Sequence, residues 1–469
     1  MAIPFILAPY VSRTIGANGV GIYSYTKSIV TYFVLFAALG TTTYGTREIA
    51  FYRDDVKKRS RIFWEIEILS ITTSLLCILG WLVLILFSSE NKIYYVILTL
   101  NIINVIFDIS WFYAGIEQFK YTIYVNSIFK IICMILVFIF VKTNQDLTKY
   151  ILIMSGTTFL GTLSMWIFLK KFICKVDLKH INIIPHLKET LVYFIPTIAT
   201  SIYTILDKTL IGLITKDVYQ NGYYEQATKV IDVCKILTFT SLNTVLQSRI
   251  SYLYSKAKKE EIKEKINLSI DYILFISIGF IFGLLSLSDV FAPMYFGNDF
   301  VDAAKMIKLL SPVILIVGIS NCLGAQYYTP SGRRKQSAQY IIIGSSINLI
   351  CNLIFIPKFQ AVGAIIGTLI AESIITILYT LNCNNIVNIK DIIINSYKKV
   401  IAGFCMFYIL CLMKNKINQD IKTLLIEIII GIFIYFVILI ISKDNFAYGF
   451  LWKKMMKKIK EEREKWKSM

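Results

Sequence analysis

The 469-residue chain has little charge, almost no histidine and none of the usual catalytic signatures. Asp, Glu, Lys and Arg make up 17% of it and His occurs 2 times, whereas soluble proteins carry about 25% charged residues. The nucleotide loop G-x-x-x-x-G-K-[ST], the nucleophile elbow G-x-S-x-G and the zinc motif H-E-x-x-H do not occur in it. We therefore predict no catalytic residue and no ATP site.

Metal-binding spacing is also missing. Most of the 9 cysteines lie in apolar runs and no two are spaced C-x-x-C, which favours packing inside helices over metal or redox chemistry. His180 and His186 have no Cys or Glu at ligand spacing. We predict no metal site and no cofactor, and coupling to H⁺ or Na⁺ stays open.

Apolar residues dominate what is present: the hydrophobic fraction is 56% and the mean hydropathy is +0.64. A soluble fold of this size would expose too much apolar surface, so lipid must be the solvent for most of the chain. A helical span needs about 20 apolar residues, and the runs found here are mostly too long for strands. The predicted spans lie at 2–11, 24–40, 63–88, 94–115, 123–141, 150–169, 191–214, 227–246, 268–294, 304–328, 339–356, 362–386, 400–413 and 424–441.

These runs predict an all-α polytopic membrane protein with about fourteen transmembrane helices, which fall into two sets of six followed by two C-terminal helices. The first span is shorter than about 20 residues, so either translation starts upstream or the first helix is incomplete. The predicted domains are an N-terminal bundle at 1–169, a cytoplasmic connector at 170–190, a C-terminal bundle at 191–386, two additional helices at 387–441 and a basic cytoplasmic tail at 442–469.

Lysine and arginine are distributed unevenly between the loops, although the formal net charge is +19 overall. With the N-terminus in the cytoplasm, most of them fall on the cytoplasmic side, as the positive-inside rule expects. The clusters lie at 47–61, 170–188, 256–265 and 333–335. We therefore predict a multi-pass membrane protein with both termini cytoplasmic. The basic tail is expected to contact anionic lipid rather than nucleic acid.

The two halves share a faint repeat. Gly21-Ile22-Tyr23 corresponds to Gly222-Tyr223-Tyr224, and each opens an apolar span that ends near a cation, Arg47 or Arg249. Parallel repeats of this kind predict two bundles that hold a substrate between them and rock against each other.

Several charged residues are predicted inside spans, where each costs several kcal/mol unless it faces a cavity or a partner. Spacings of three and four along the helix after Gly222 allow a self-neutralised structural ladder. The alternative is a cationic cavity that attracts a phosphate or pyrophosphate. The predicted substrate-binding cations are Arg13, Lys27, Lys130, Lys208, Lys229 and Arg249. The predicted coupling groups or charge partners are Asp108, Asp207, Glu225, Asp232 and Glu372.

A set of short motifs runs from Ile3 to about Tyr379. In the first half they are Pro9-Tyr10-Val11-Ser12-Arg13, Gly21-Ile22-Tyr23-Ser24-Tyr25, Tyr44-Gly45-Thr46-Arg47-Glu48-Ile49-Ala50 and Trp111-Phe112-Tyr113. In the second half they are Asp207-Lys208, Gly222-Tyr223-Tyr224, Asn348 with Asn352, Ile356-Pro357 and Gly363-Ala364. In combination they resemble Wzx-type flippases, which move lipid-linked O-antigen or capsule repeat units. The short first span departs from that family's pattern.

This resemblance implies the fold of the multidrug/oligosaccharidyl-lipid/polysaccharide exporter superfamily, with two bundles around a cavity that opens to each side in turn. It implies undecaprenyl-pyrophosphate-linked oligosaccharide as the substrate, with membrane lipids, a polysaccharide polymerase and other assembly proteins as partners. The alternatives are an ion-coupled multidrug exporter or lipid II flippase of the same superfamily, or a membrane-integral polymerase or glycosyltransferase. An enzyme of the last kind would need a long outer loop or an aqueous carboxylate pair.

Overall fold

The computed structural model describes residues 2–177, 181–414 and 420–452, which are helical with short connections and contain no β-strand. The helices are α1 (Ala2–Ala38), α2 (Thr41–Phe51), α3 (Val56–Phe87), α4 (Lys92–Phe107), α5 (Ser110–Gly115), α6 (Phe119–Phe140), α7 (Leu147–Leu169), α8 (Ile184–Thr215), α9 (Val218–Lys235), α10 (Ser241–Ser255), α11 (Lys259–Phe296), α12 (Val301–Leu310), α13 (Val313–Leu323), α14 (Arg334–Phe359), α15 (Ala361–Leu381), α16 (Ile389–Lys414) and α17 (Ile421–Ile441). Short 3₁₀ turns occupy Asn144–Asp146 and Asn298–Phe300, and π-helical turns occupy Ile236–Thr240, Gly324–Tyr328 and Asn445–Trp452.

Each predicted span overlaps helical structure, which confirms the all-α polytopic fold class. Within the described residues, 10 helices are long and apolar enough to cross a membrane, or up to 11 when the bent pair Asn298–Leu310 and Val313–Tyr328 counts as one span. The exact number of fourteen crossings stays a prediction. His180 and the tail beyond 452 lie outside the described residues.

The first two predicted spans form one element, α1, with a break at Gly16. Its φ is 70° and its ψ is 177°, which is not helical. Glycine adopts a positive φ without the steric cost of a Cβ, so the chain turns sharply there. The break at Gly16 lies between the two predicted spans, 2–11 and 24–40.

Local signals explain other helix ends. Asp55 accepts a hydrogen bond from the backbone N–H of Lys58 at 3.1 Å and so begins α3. Asp420 accepts one from the N–H of Thr423 at 2.7 Å and begins α17. Such caps satisfy backbone donors that the first turn leaves without partners. Gly40 lies between α1 and α2 with a φ of 76°, a left-handed value that glycine adopts without the steric cost of a Cβ.

The chain divides into two compact units, the first ending at Gly222 and the second beginning at Tyr223. The boundary between the units therefore lies inside α9, and the domain limits proposed from the sequence stay a prediction. Helix α8 belongs to the first unit because it packs on α1: a Cβ on Gly212 would meet the Tyr25 ring at 2.1 Å.

Each unit has its own apolar core. In the first unit, Phe63, Trp111 and Phe112 are at most 3% exposed and pack against Met165 of α7. The buried Tyr113 hydroxyl donates to the Met165 carbonyl at 2.7 Å. In the second unit, α11 is the central helix and buries a stripe that includes Ile266, Ile270 and Ile273.

Candidate functional site

Two of the predicted cations, Arg13 and Lys27, are exposed on α1, one on each side of the break at Gly16. The Lys27 ammonium lies 5.2 Å from the centroid of the Tyr23 ring, close enough for a cation–π contact. In a spanning helix, an exposed cation faces a polar space or the lipid headgroups rather than the acyl chains. The structure therefore places these two side chains where an anionic group can reach them.

The contact between α1 and α8 in the first unit is polar. Thr209 donates a hydrogen bond to the Ser28 hydroxyl at 2.9 Å. Lys27 and Lys208 directly precede these two residues, so their backbones lie close together. Asp207 is 5% exposed and Lys208 is half-buried. This contact gathers three of the predicted residues in one region of the first unit.

The charge ladder on α9 is confirmed in part. Lys229 forms an ion pair with Glu225 at 3.4 Å, as the i, i+4 spacing predicted. Asp232 pairs with Lys235 at 3.2 Å. The structural interpretation thus holds for the carboxylate of Glu225. Because 44% of the Lys229 side chain is exposed, it remains accessible to an anion from solvent.

The other predicted residues are distributed over separate elements. Asp108 ends α4 and accepts the backbone N–H of Ser110 at 3.0 Å, which is a turn-capping role. Lys130 is exposed on α6. Glu372 is half-buried on α15. Arg249 is exposed on α10, with its guanidinium 5.7 Å from the centroid of the Tyr252 ring.

A buried polar network in the first unit was missed by the sequence analysis. His186 Nε2 lies 2.9 Å from Glu65 Oε2, and His186 Nδ1 lies 2.7 Å from the Tyr44 hydroxyl. Arg61 and the backbone N–H of Asn182 both donate to the other Glu65 oxygen, at 3.0 and 3.3 Å. The network joins α2, α3 and the start of α8. Charged residues inside the predicted span 63–88 were the available signal, and Glu65 is one of them.

A buried ion pair in the second unit was also missed. Lys399 on α16 donates to Asp444 at 2.8 Å, and their side chains are 0% and 2% exposed. The other Asp444 oxygen accepts the backbone N–H groups of Phe446 and Ala447, both at 3.0 Å. Asp444 thereby fixes the turn that follows α17. Spacing gives no hint of this pair, because its members are 45 residues apart.

A chain of amide groups crosses the second unit. The Ser269 hydroxyl donates to Gln326 at 3.0 Å, Gln326 donates to Asn243 at 2.8 Å, and Asn243 donates to the Asn321 side chain at 2.8 Å. Gln326 is 0% exposed, whereas Asn321 is exposed. Gln326 belongs to one π-helical turn and Asn243 follows another. Such turns occur frequently at functional sites.

Among the described residues, no three His, Cys, Asp or Glu side chains come together in a way that could hold a metal ion. The polar features of the two units include exposed cations, the ion pairs Lys229–Glu225 and Lys399–Asp444, and neutral amides and hydroxyls.

Residues 1–253 match the family described as "Polysaccharide biosynthesis protein", and the chain belongs to that family. The matched region includes all six predicted cations, which lie on helices from α1 to α10.

Known relatives cover most of the chain. It is 23% identical over 391 residues to the "Putative O-antigen transporter" of Escherichia coli (strain K12), covering 82% of this chain and 93% of that protein. Over 236 residues, 49% of this chain and 48% of the relative, it is 26% identical to the "Probable low-salt glycan biosynthesis flippase Agl15" of Haloferax volcanii.

Solved structures share the fold. The "Lipid II flippase MurJ, inward closed conformation" matches with a TM-score of 0.73 at 20% identity, covering 94% of this chain and 98% of that one. A "multidrug resistance MATE family transporter of the MOP superfamily" in its inward-facing conformation matches with a TM-score of 0.58 at 13% identity, covering 82% and 97%. The chain is therefore a multi-pass membrane protein of the polysaccharide biosynthesis family with the fold of these transporters, and its named relatives are transporters and flippases.

Proposed function

We propose that the chain is a flippase that moves undecaprenyl-pyrophosphate-linked oligosaccharide repeat units across the bacterial cytoplasmic membrane for surface-polysaccharide synthesis. The observation that carries this proposal is the exposure of Arg13 and Lys27 on α1, a helix that is otherwise largely apolar. Arginine forms paired hydrogen bonds with phosphate oxygens, and lysine adds a mobile point charge. Relatives named for O-antigen transport and glycan-biosynthesis flipping support the choice of cargo.

The proposed function implies a transport cycle. The pyrophosphate binds the cations and the sugars contact polar residues, while the lipid tail remains in the bilayer. Movement of the two bundles then opens the binding site to each leaflet in turn. The sequence has no nucleotide-binding motif of its own, so the energy comes from an ion gradient, a partner ATPase or consumption of the product on the far side. A polysaccharide polymerase is the expected consumer. A multidrug exporter would instead need an acidic surface for cationic drugs.

The test removes the cations one at a time. Lys27→Ala, Lys208→Ala and Arg249→Ala should each lower surface polysaccharide at least about tenfold, because each removes a charge-assisted contact of about 1.5–3 kcal/mol. Lipid-linked repeat units should accumulate in the inner leaflet. Surface polysaccharide is measured by immunoblotting and the lipid-linked pool by mass spectrometry, at membrane levels of the protein that match the wild type.

Lys263→Ala and Arg334→Ala are the matched controls, since both side chains are exposed at the starts of α11 and α14. They should leave export unchanged. Normal export by all three variants, Lys27→Ala, Lys208→Ala and Arg249→Ala, would contradict the proposal. Extrusion of a cationic dye by a wild-type protein that does not move repeat units would favour the multidrug exporter.

A further inference from the structure

One side of α10 carries a band of exposed, uncharged polar residues. At 3.6 residues per turn they fall within a sector of about 120°, while Asn243, Ile250 and Leu253 occupy the buried side. The band consists of Thr240, Ser241, Thr244, Gln247, Ser248, Ser251 and Ser255, all of them exposed. We call these seven residues the polar band.

The polar band differs from an ordinary water-facing helix surface. Such surfaces are rich in Lys, Arg, Glu and Asp, and the first turns of the neighbouring α11 show this with Lys259, Glu260, Glu261 and Lys263. None of the seven members of the polar band is charged. An uncharged polar surface has little attraction for a pyrophosphate, so this side of α10 fits a neutral polar ligand, whereas the exposed Arg249 lies outside the band on the same helix.

Five of the six hydroxyl groups of the polar band already donate to backbone carbonyls. Thr244 donates to the Thr240 carbonyl at 2.9 Å, Ser251 to the Gln247 carbonyl at 2.8 Å, and Ser255 to the Tyr252 carbonyl at 2.8 Å. A hydroxyl has one hydrogen and two lone pairs, so these oxygens offer acceptors. They therefore favour a ligand with many hydroxyl donors, which is the chemistry of a sugar.

The edge of the polar band is held rigid. Asn243 lies next to it on the helix and donates to the Asn321 side-chain oxygen, while Gln326 fixes Asn243 from the core. Within the described residues, the hydrogen bonds of the Asn321 side chain use only its oxygen, which leaves its NH₂ group as a donor. Groups fixed in advance lose less entropy when a ligand binds.

We propose that the polar band and Asn321 bind the hydroxyl groups of the sugars and select the repeat unit by its carbohydrate. The cations then bind the pyrophosphate, so different residues recognise the sugar and the pyrophosphate of the same cargo. This inference depends on the proposed function, because it assigns the carbohydrate part of the same cargo.

The experiment compares two cargoes on the purified full chain in lipid nanodiscs. One cargo is undecaprenyl pyrophosphate with its repeat unit, extracted from the source organism, and the other is undecaprenyl pyrophosphate without sugar. Thr244→Val and Gln247→Met remove hydrogen-bonding groups with little change in shape. Each should weaken binding of the sugar-bearing cargo about three- to tenfold, the value of one hydrogen bond, and leave the sugar-free cargo unchanged.

Thr158→Val on α7 is the matched control, because Thr158 is exposed and also donates to a carbonyl of its own helix, that of Met154 at 2.8 Å. It should bind both cargoes like the wild type. If the polar-band variants bound both cargoes as tightly as the wild type, the band would contact only solvent and the inference would be overturned. Equal weakening for both cargoes would overturn it as well. A wild-type chain that binds neither cargo would refute the proposed function itself.

Discussion

At the scale of single residues, the surroundings of each charge decide what it can do. Arg13 and Lys27 are exposed and can meet an anion, whereas Asp207 is 5% exposed in the same unit. Lys399 has 0% exposure and serves a structural purpose through Asp444. All five residues lie in or near apolar runs, so the sequence pattern alone does not separate the two roles.

The buried pair gives a prediction at this scale. Asp444→Ala should lower the free energy of unfolding by about 3–5 kcal/mol, because it leaves the Lys399 ammonium buried without its carboxylate. The double variant Lys399→Met/Asp444→Leu should recover much of that loss, since neither charge remains to be desolvated. Thermal unfolding of the purified protein in detergent measures both effects.

The surface pair of Lys308 and Asp289 supplies the control, with side chains 27% and 47% exposed. Asp289→Ala should cost at most about 1 kcal/mol because water screens an exposed pair. Equal melting temperatures for Asp444→Ala and Asp289→Ala would contradict the structural role of the buried pair.

At the scale of helices, glycines set how closely elements approach. A Cβ on Gly21 would lie 1.7 Å from the Val218 carbonyl oxygen, and one on Gly222 would lie 2.2 Å from the Ala17 carbonyl oxygen. Helix α1 and the start of α9 thus touch backbone to backbone. The same two glycines open the repeated motifs of the sequence, and the close contact gives a physical reason for glycine at both positions.

Replacing these glycines should separate the two helices. We expect Gly21→Ala and Gly222→Ala each to destabilise the protein by at least about 3 kcal/mol, since the added methyl group meets rigid backbone rather than a movable side chain. Size-exclusion chromatography after a temperature series measures the loss of folded protein.

Gly283→Ala in α11 is the matched substitution, because nothing lies within 4 Å of the added Cβ. It should be neutral or slightly stabilising, as expected for Gly→Ala inside a helix. If Gly21→Ala melted at the same temperature as Gly283→Ala, the close approach of α1 and α9 would be refuted.

The paired motif Gly363-x-x-x-Gly367 is typical of a close helix-packing face, and the structure shows such a contact. A Cβ on Gly363 would lie 2.4 Å from the Phe355 backbone, and one on Gly367 would lie 2.6 Å from the Asn352 side chain. The pattern was predictable because helices α14 and α15 are neighbours in sequence. The π-helical turns that place Asn243 and Gln326 had no comparable sequence signal.

At the scale of the whole molecule, the arrangement of basic loops predicts orientation. The loop between α2 and α3 should be cytoplasmic, and the turn before α7 should be on the outer side. Single cysteines in a background with the native cysteines replaced by serine test this, at the exposed positions Asp54→Cys and Gln145→Cys.

An impermeant maleimide should label Gln145→Cys in intact spheroplasts and Asp54→Cys only in inside-out vesicles. Labelling of both after detergent treatment shows that each thiol is reactive. The reverse pattern would place the N-terminus outside and overturn the predicted orientation.

The sequence by itself determined that this is an all-helical membrane protein and where most of its helices lie, because hydropathy and helix breakers act locally. Its short motifs also carried the family resemblance. Only the tertiary structure decided which polar groups meet. The contact of Glu65 with His186 spans 121 residues and that of Gln326 with Asn243 spans 83. Such contacts depend on how helices pack in three dimensions, and neither spacing nor composition records that packing.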